Sequence, residues 1–192
     1  MATSTRSYHH GDLPTALVQA ALELLEEGGA TELSLRAAAR RAGVSTAAPY
    51  RHFADRDALL SAVAAVGYRD LAAQLAAANP SPQTPDDLAD IAIAYVNFAL
   101  QRPGLFRAMF AEPCDPTSPE RVAAVEAISE YLRSIVRQAL PTSDPEAMAN
   151  AVWALVHGLA FLHLDGKFDA SSPDTVASTV RAAVAAVLGQ LA

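Results

Sequence analysis

The chain has 192 residues, 52% of them hydrophobic and 18% charged, with a formal net charge of −7. That length allows one or two domains with a sizeable core, and an overall acidic balance excludes a general nucleic-acid coat. The single cysteine, Cys114, excludes an intrachain disulfide and fits a reducing, cytoplasmic compartment.

Alanine and leucine dominate and β-branched or aromatic runs are short, so the expected fold is all-α. Residues 1–10 read as a polar arm, and a polar N-terminus gives no sign of a signal peptide. A helix is expected from Asp12, its cap, to Glu27, with Pro14 in the first turn and Leu13, Leu17, Ala21, Leu24 and Leu25 as its inner stripe. Gly28-Gly29 ends it. Ser34 can cap a second helix with Leu35, Ala38, Ala39 and Ala42 inward, which Gly43 ends. Val44 follows as an apolar plug, and Ser45 can cap a third helix with Pro49 and Phe53 on its inner face. Thr46, Ala47, Tyr50, Arg51 and His52 are then left facing out. This is the pattern of a helix-turn-helix, and its second helix carries side chains suited to duplex DNA. Pro49 disturbs it: the ring removes an early hydrogen bond and pushes Ala48 from α geometry. The helix is therefore expected to start late, at Thr46 or Ala47, or to be irregular in its first turn.

Asp55 caps a long helix to Ala78, with Leu59, Leu60, Val63, Val66 and Leu71 apolar, continuous from the head into the rest. The Pro-rich stretch 79–85 is a loop. Helices are expected over 86–101, 105–111, 119–140, 146–164 and 173–191, separated by Pro103-Gly104, the loop 112–118, the turn 141–145 and the loop 165–172. The boundary falls between a helix-turn-helix head, 1–54, and a helical remainder, 55–192. The stretch 147–164 is about long enough to span a bilayer. It contains Asn150, His157, Gly158 and His163 and lacks flanking Lys or Arg, so it reads as a buried helix and no membrane partner is expected. Residues 1–57 hold six Arg and seven acids; the acids gather in the first helix, while Arg36, Arg40, Arg41, Arg51 and Arg56 gather at the motif.

From Tyr8 to Leu60, YHHGDL, LxLRxxAxxAGVS and YRHFxxRDALL stand in order. This run resembles the TetR family of transcriptional regulators. The resemblance implies a homodimer, an N-terminal head on double-stranded operator DNA and a C-terminal helical domain sensing a small molecule. It places Ser45, Thr46 and Ala47 at the start of the recognition helix, near base edges, and makes Arg51 the base reader. Tyr50 and His52 match phosphate contacts. Arg56 matches the family's usual Lys and would hold a phosphate at a helix N-terminus, and Arg36 would reach the backbone or groove edge. Pro49 departs from the family's usual aliphatic residue. Trp153, His157 and Gly158, spaced WxxxHG, resemble the subgroup named for a Trp-His-Gly signature.

Tyr95, Phe98, Phe106, Met109, Phe110, Trp153, His157 and Phe161 are candidates to line an effector cavity. Trp153, His157 and Phe161 share one helical face at i, i+4, i+8. One imidazole and one phenol in an apolar setting suit an aromatic or lipophilic effector; ordinary core packing is the alternative. The last two helices of each subunit, the final one offering Val176, Val180, Val184, Val187 and small alanines, would form a four-helix dimer interface. His9 and His10 are candidates for a minor-groove arm. No metal or cofactor is expected: His157, His163 and Asp165 do not share a helical face, and no Gly-rich phosphate loop, GxSxG, HExxH or CxxC occurs. The expected function is a ligand-responsive regulator, a repressor released from a near-palindromic operator. The alternatives are a ligand-binding or dimerisation module that has lost DNA reading, and an all-α enzyme using His157, for which no motif speaks.

Overall fold

The structure is a computed structural model that describes residues 13–188; Asp12, His9 and His10 lie outside the described residues. Among those described there are eight α-helices and two short 3-10 turns, and no strand.

The head starts with α1 (Leu13–Gly28), which buries Leu17, Ala20, Ala21, Leu22 and Leu25. Gly29, at φ +70°, reverses the chain while its N–H still reaches Leu25 O. A 3-10 turn, Ala30–Glu32, leads to Ser34, whose Oγ accepts from Ala37 N–H at 3.1 Å and caps α2 (Leu35–Arg41). The far end of α2 closes as a Schellman motif. Gly43 sits at φ +71°, its N–H donates to Arg40 O, and the N–H of Val44 donates to Ala39 O.

After the segment 45–53, Asp55 accepts from Ala58 N–H at 2.8 Å and starts α3 (Arg56–Ala78), which runs unbroken from head to body. The body comprises α4 (Pro85–Gln101), α5 (Pro103–Phe110), α6 (Pro119–Ala139), α7 (Pro145–Leu164) and α8 (Pro173–Leu188). Proline opens each of the five, where its missing N–H costs least. Thr84 and Asp87 form a reciprocal capping box at α4. This helix is central, packed against α3, α7 and α8. One hydrophobic core runs from Leu17 in the head to Leu188 in the body. At the head–body contact a Cβ on Gly104 would stand 2.0 Å from Leu25 O, so the α5 and α1 backbones touch as only glycine permits. Arg102 reinforces this contact with Glu26 (3.5 Å) and Asp70 (2.7 Å).

Within a single chain the last two helices are covered unevenly. Helix α7 is long and apolar enough to cross a membrane by length and composition, but within this chain only one face is covered. It buries Ala149, Val156, Leu159, Ala160 and His163, while Ala147, Ala151, Ala154 and Leu162 stay exposed. In α8 the valine stripe does not form an outer face: Val176, Val180 and Val184 are buried in the chain's own core, and only Val187 is open, at 52%. The outward face of α8 is built from small residues, among them Ser178, Ala182, Ala185 and Ala186.

Candidate nucleic-acid interface and effector pocket

The segment after α2 is where proline decides the geometry. A full recognition helix from Ser45 to Phe53 does not form. Ala47 N–H donates to Ser45 Oγ at 3.3 Å and Ala48 N–H to Ser45 O at 2.9 Å, a tight local turn. Only Ala48–Arg51 are helical, as one 3-10 turn with Pro49 near its start. The N–H groups of His52 and Phe53 then converge on Pro49 O, both at 2.9 Å. Proline has no N–H to continue an α ladder, so the chain uses short-range bonds on either side of it.

The faces nevertheless separate as the pattern expected. Pro49 and Phe53 are buried, while Ser45, Thr46, Ala47, Tyr50 (53% exposed), Arg51 and His52 are open to solvent. Arg36 and Arg40 stand exposed on α2. Among the described residues Arg36, Arg40 and Arg51 have no ion-pair partner within reach. These three guanidiniums and the neighbouring hydroxyls can therefore meet an anionic partner without first breaking a bond.

The other two arginines of the cluster are engaged within the protein. Arg41 spans α2 to α1, with Nη1 donating to Glu27 at 2.9 Å and to Glu23 at 3.3 Å. The hydrogen bonds to Glu27 and Glu23 raise the Arg41 pKa, and that to Arg41 lowers the pKa of Glu27. Arg56 is engaged as well. Its side chain is half-buried, and it gives hydrogen bonds to Leu33 O, Ala30 O and Glu112. These bonds take up the fork that the family resemblance assigns to a phosphate.

In the body, Tyr95, Phe106, Phe110, Trp153, His157 and Phe161 come together from α4, α5 and α7. The His157 ring centroid is 4.6 Å from that of Phe110, 4.9 Å from Phe161, 5.8 Å from Phe106 and 6.0 Å from Trp153. Trp153 Nε1–H donates to Tyr95 Oη (3.4 Å), and Tyr95 Oη lies 2.9 Å from His157 Nδ1. The phenol can accept from Trp153 and give its own proton to Nδ1, and in that tautomer the imidazole proton sits on Nε2. Burial lowers the His157 pKa and raises that of Tyr95. The imidazole is thus the neutral member of a small hydrogen-bonded relay.

Phe98 joins this cluster only through Phe106, edge-on at 6.5 Å, and Met109 packs elsewhere. Phe98 is fully buried with the Arg102 guanidinium over its ring at 5.8 Å. Met109 packs where Gly67 leaves room on α3; a Cβ there would be 2.5 Å from its sulfur. The space beside Tyr95 and Trp153 has a volume of about 30 Å³ and is otherwise walled by aliphatic residues, including Leu75, Leu88, Ile135 and Val156. These wall residues carry no chemical signal in the sequence; only their places on the inner stripes of α3, α4, α6 and α7 point to them. A larger open groove of about 560 Å³ lies where head meets body, between Val18, Phe53, Ala62, Val66 and the start of α6 at Pro119.

Residues 17–63 match the model of the bacterial regulatory proteins of the tetR family, and residues 88–187 match the tetracyclin repressor-like C-terminal domain. The C-terminal match is not to a domain named for the Trp-His-Gly signature, so the resemblance holds at the level of the family. No curated protein matches the chain. Among solved structures, a Rhodococcus sp. RHA1 protein of unknown function is 34% identical, with 95% of this chain and 98% of that one covered and a TM-score of 0.78. The TetR family transcriptional regulator PfmR of Thermus thermophilus is 20% identical, covering 90% and 93% of the two chains with a TM-score of 0.63. A TetR/AcrR family regulator of Thermobifida fusca shares the fold at 20% identity, 90% and 96% coverage and a TM-score of 0.62. With its head matched and just over half of its length matched again by the C-terminal model, this chain belongs to the TetR family of bacterial transcriptional regulators.

Proposed function

We propose that the protein is a homodimeric, cytoplasmic repressor that reads a near-palindromic operator and leaves it when a small apolar or aromatic molecule enters the body. The observation that carries this reading is the segment 45–52, which turns its polar side chains outward over a buried Pro49 and Phe53. Residues 1–54 serve as the reading head and 55–192 as the sensing and dimerising body. Arg51 reads bases, Thr46 and Ala47 approach base edges, and Ser45, Tyr50, His52 and Arg36 hold the backbone. The open face of α7 and the small-residue face of α8 supply the dimer contact, a close approach of helices such as four-helix interfaces use. Two heads would then meet successive major grooves about 34–36 Å apart.

The effector site is the cluster around His157. Its Nε2–H is the donor left over by the Tyr95 relay, so a ligand with a flat apolar body and one acceptor oxygen suits it. Such a molecule has to part the packed rings, which gives it the differential affinity that a switch requires. Selection from randomised duplexes, followed by fluorescence anisotropy at several salt concentrations, tests the reading. The expected result is an enriched near-palindrome, bound far more tightly than random DNA by one dimer per site.

One observation favours a second reading, that the chain senses or dimerises without reading DNA: the recognition segment contains a single 3-10 turn. The same selection decides between the two. Equal affinity for every duplex would overturn the repressor and leave the module.

A further inference from the structure

The Arg56 guanidinium joins three parts of the chain. Its Nε donates to Leu33 O at 3.2 Å, and its Nη2 donates to Ala30 O at 2.9 Å and to Glu112 Oε2 at 3.3 Å. Its Nη1 is 3.9 Å from the Asp57 carboxylate. Three of the five N–H groups are thus committed. The two carbonyls flank the 3-10 turn just before Ser34, the cap of α2. Arg56 itself is the first residue of α3. Glu112 belongs to the body, two residues beyond Phe110, whose ring meets His157 at 4.6 Å. The entry to the helix-turn-helix, the start of the linking helix and the end of α5 therefore meet on one side chain. A planar fork can serve divergent acceptors in this way; the single nitrogen of a lysine cannot.

We propose that Arg56 is a positioning residue for DNA reading and that Glu112 is the body's hold on it. Arg56 fixes the angle of α2, and with it the turn 45–53, against α3. A displacement of α5 reaches the head through Glu112. This rests on the reading of the head as a DNA reader, but the first measurement below does not need DNA.

The test uses the full-length protein with Arg56→Lys, Arg56→Gln and Glu112→Gln, each checked by melting temperature. Hydrogen exchange without DNA comes first. Amides 33–41 are expected to exchange ~5-fold faster in both Arg56 variants, because the pin on α2 is lost, and about twofold faster in Glu112→Gln, which weakens only the charged contact of that pin. Unchanged exchange there overturns the proposal whatever the protein does with DNA. Should the Arg56 variants not fold, Glu112→Gln keeps shape and acceptor and carries this measurement alone.

Operator affinity, on a sequence selected from randomised duplexes, comes second. Arg56→Lys keeps the charge and the reach to a phosphate, yet it is expected to lose about tenfold in specific affinity, as much as Arg56→Gln, with its salt slope unchanged. Glu112→Gln should lose less, and nothing further when combined with Arg56→Gln, the signature of one shared interaction. Operator binding by Arg56→Lys within about twofold of wild type would make Arg56 a phosphate contact and overturn the proposal. A wild-type protein that prefers no sequence would instead fail the repressor reading, and the exchange result would stand apart from it.

Discussion

Between Thr46 and His52 the polar side chains stand outward with no hydrogen-bond partner among the described residues, whereas in the cluster around His157 the Trp153 indole, the Tyr95 hydroxyl and His157 Nδ1 satisfy one another. Thr46, Tyr50, Arg51 and His52 are exposed above a buried Pro49 and Phe53. In the body, Trp153, half open to solvent, donates to Tyr95, and the Tyr95 hydroxyl meets His157 Nδ1 beside the rings of Phe106, Phe110 and Phe161. The contrast follows from what each region meets. A duplex brings its own charge and its own acceptors, so the head needs its donors free. A buried imidazole and phenol without partners would cost stability, so the body pairs them until something better enters. The space beside Tyr95 and Trp153 is small, about 30 Å³. Any effector therefore does work on the packing, and that work is what α5 and α7 can pass on.

The comparison breaks most visibly if stability and recognition are not separable. Phe106 is fully buried and touches Tyr95, Phe98, Phe110, His157 and Phe161. Phe106→Ala is expected to cost about 3–5 kcal/mol of unfolding free energy through lost contacts and a cavity; chemical denaturation measures it, and a loss below ~1 kcal/mol would mean the cluster is not a packed core. Arg51→Ala should leave the denaturation curve unmoved, since the side chain is exposed and unpaired. It should remove about 1–3 kcal/mol of discrimination per half-site. Anisotropy against operator and random DNA reads that difference, and equal losses on both would reassign Arg51 to the phosphates.

A smaller effect joins the two measures at one residue. Ser34 Oγ caps α2 at 3.1 Å, and Ser34→Ala should cost ~1 kcal/mol of stability. Because that cap lies beside Leu33, whose carbonyl Arg56 holds, operator affinity should fall with it. A stability loss that leaves operator binding intact would show that the turn 45–53 keeps its place without a well-seated α2.

How far each region could be read in advance differs for the same physical reason. Helix ends were legible where one local residue decides them: Ser34, Gly43, Asp55, Pro119 and Pro173 all act within a turn of where they stand, whereas Pro85, Pro103 and Pro145, read as loop, break and turn, each begin a helix instead. The i, i+4, i+8 spacing of Trp153, His157 and Phe161 brought them onto one face as periodicity requires. What was not legible depends on partners distant in sequence. Arg56 is taken up by two carbonyls and by Glu112, 56 positions away, and a carbonyl acceptor leaves no mark in residue type. Helix α8 has both a valine stripe and an alanine stripe, and its own periodicity does not say which one faces α4. Pro49 is an intermediate case: its effect on an α ladder was predictable, but the reduction of the segment to one 3-10 turn follows from Ser45 and Pro49 acting together.

The finest test of the contrast is protonation. Burial holds the His157 pKa below its ordinary 6.5, and the side chains packed on it are Tyr95, Trp153 and three phenylalanines, with no carboxylate among them. Below about pH 6.5 the unfolded chain takes up a proton here that the folded chain resists, so stability falls as the pH drops and is unaffected above that value. His157→Gln keeps an acceptor for the Tyr95 hydroxyl and removes the titration. Between about pH 7 and 5 the melting temperature of the wild type should decline more steeply than that of the variant, with the two curves closing toward each other as the pH falls. Parallel curves would mean that the imbalance between a satisfied body and an unsatisfied head does not extend to the proton on His157, and that solvent reaches the ring as it reaches His52.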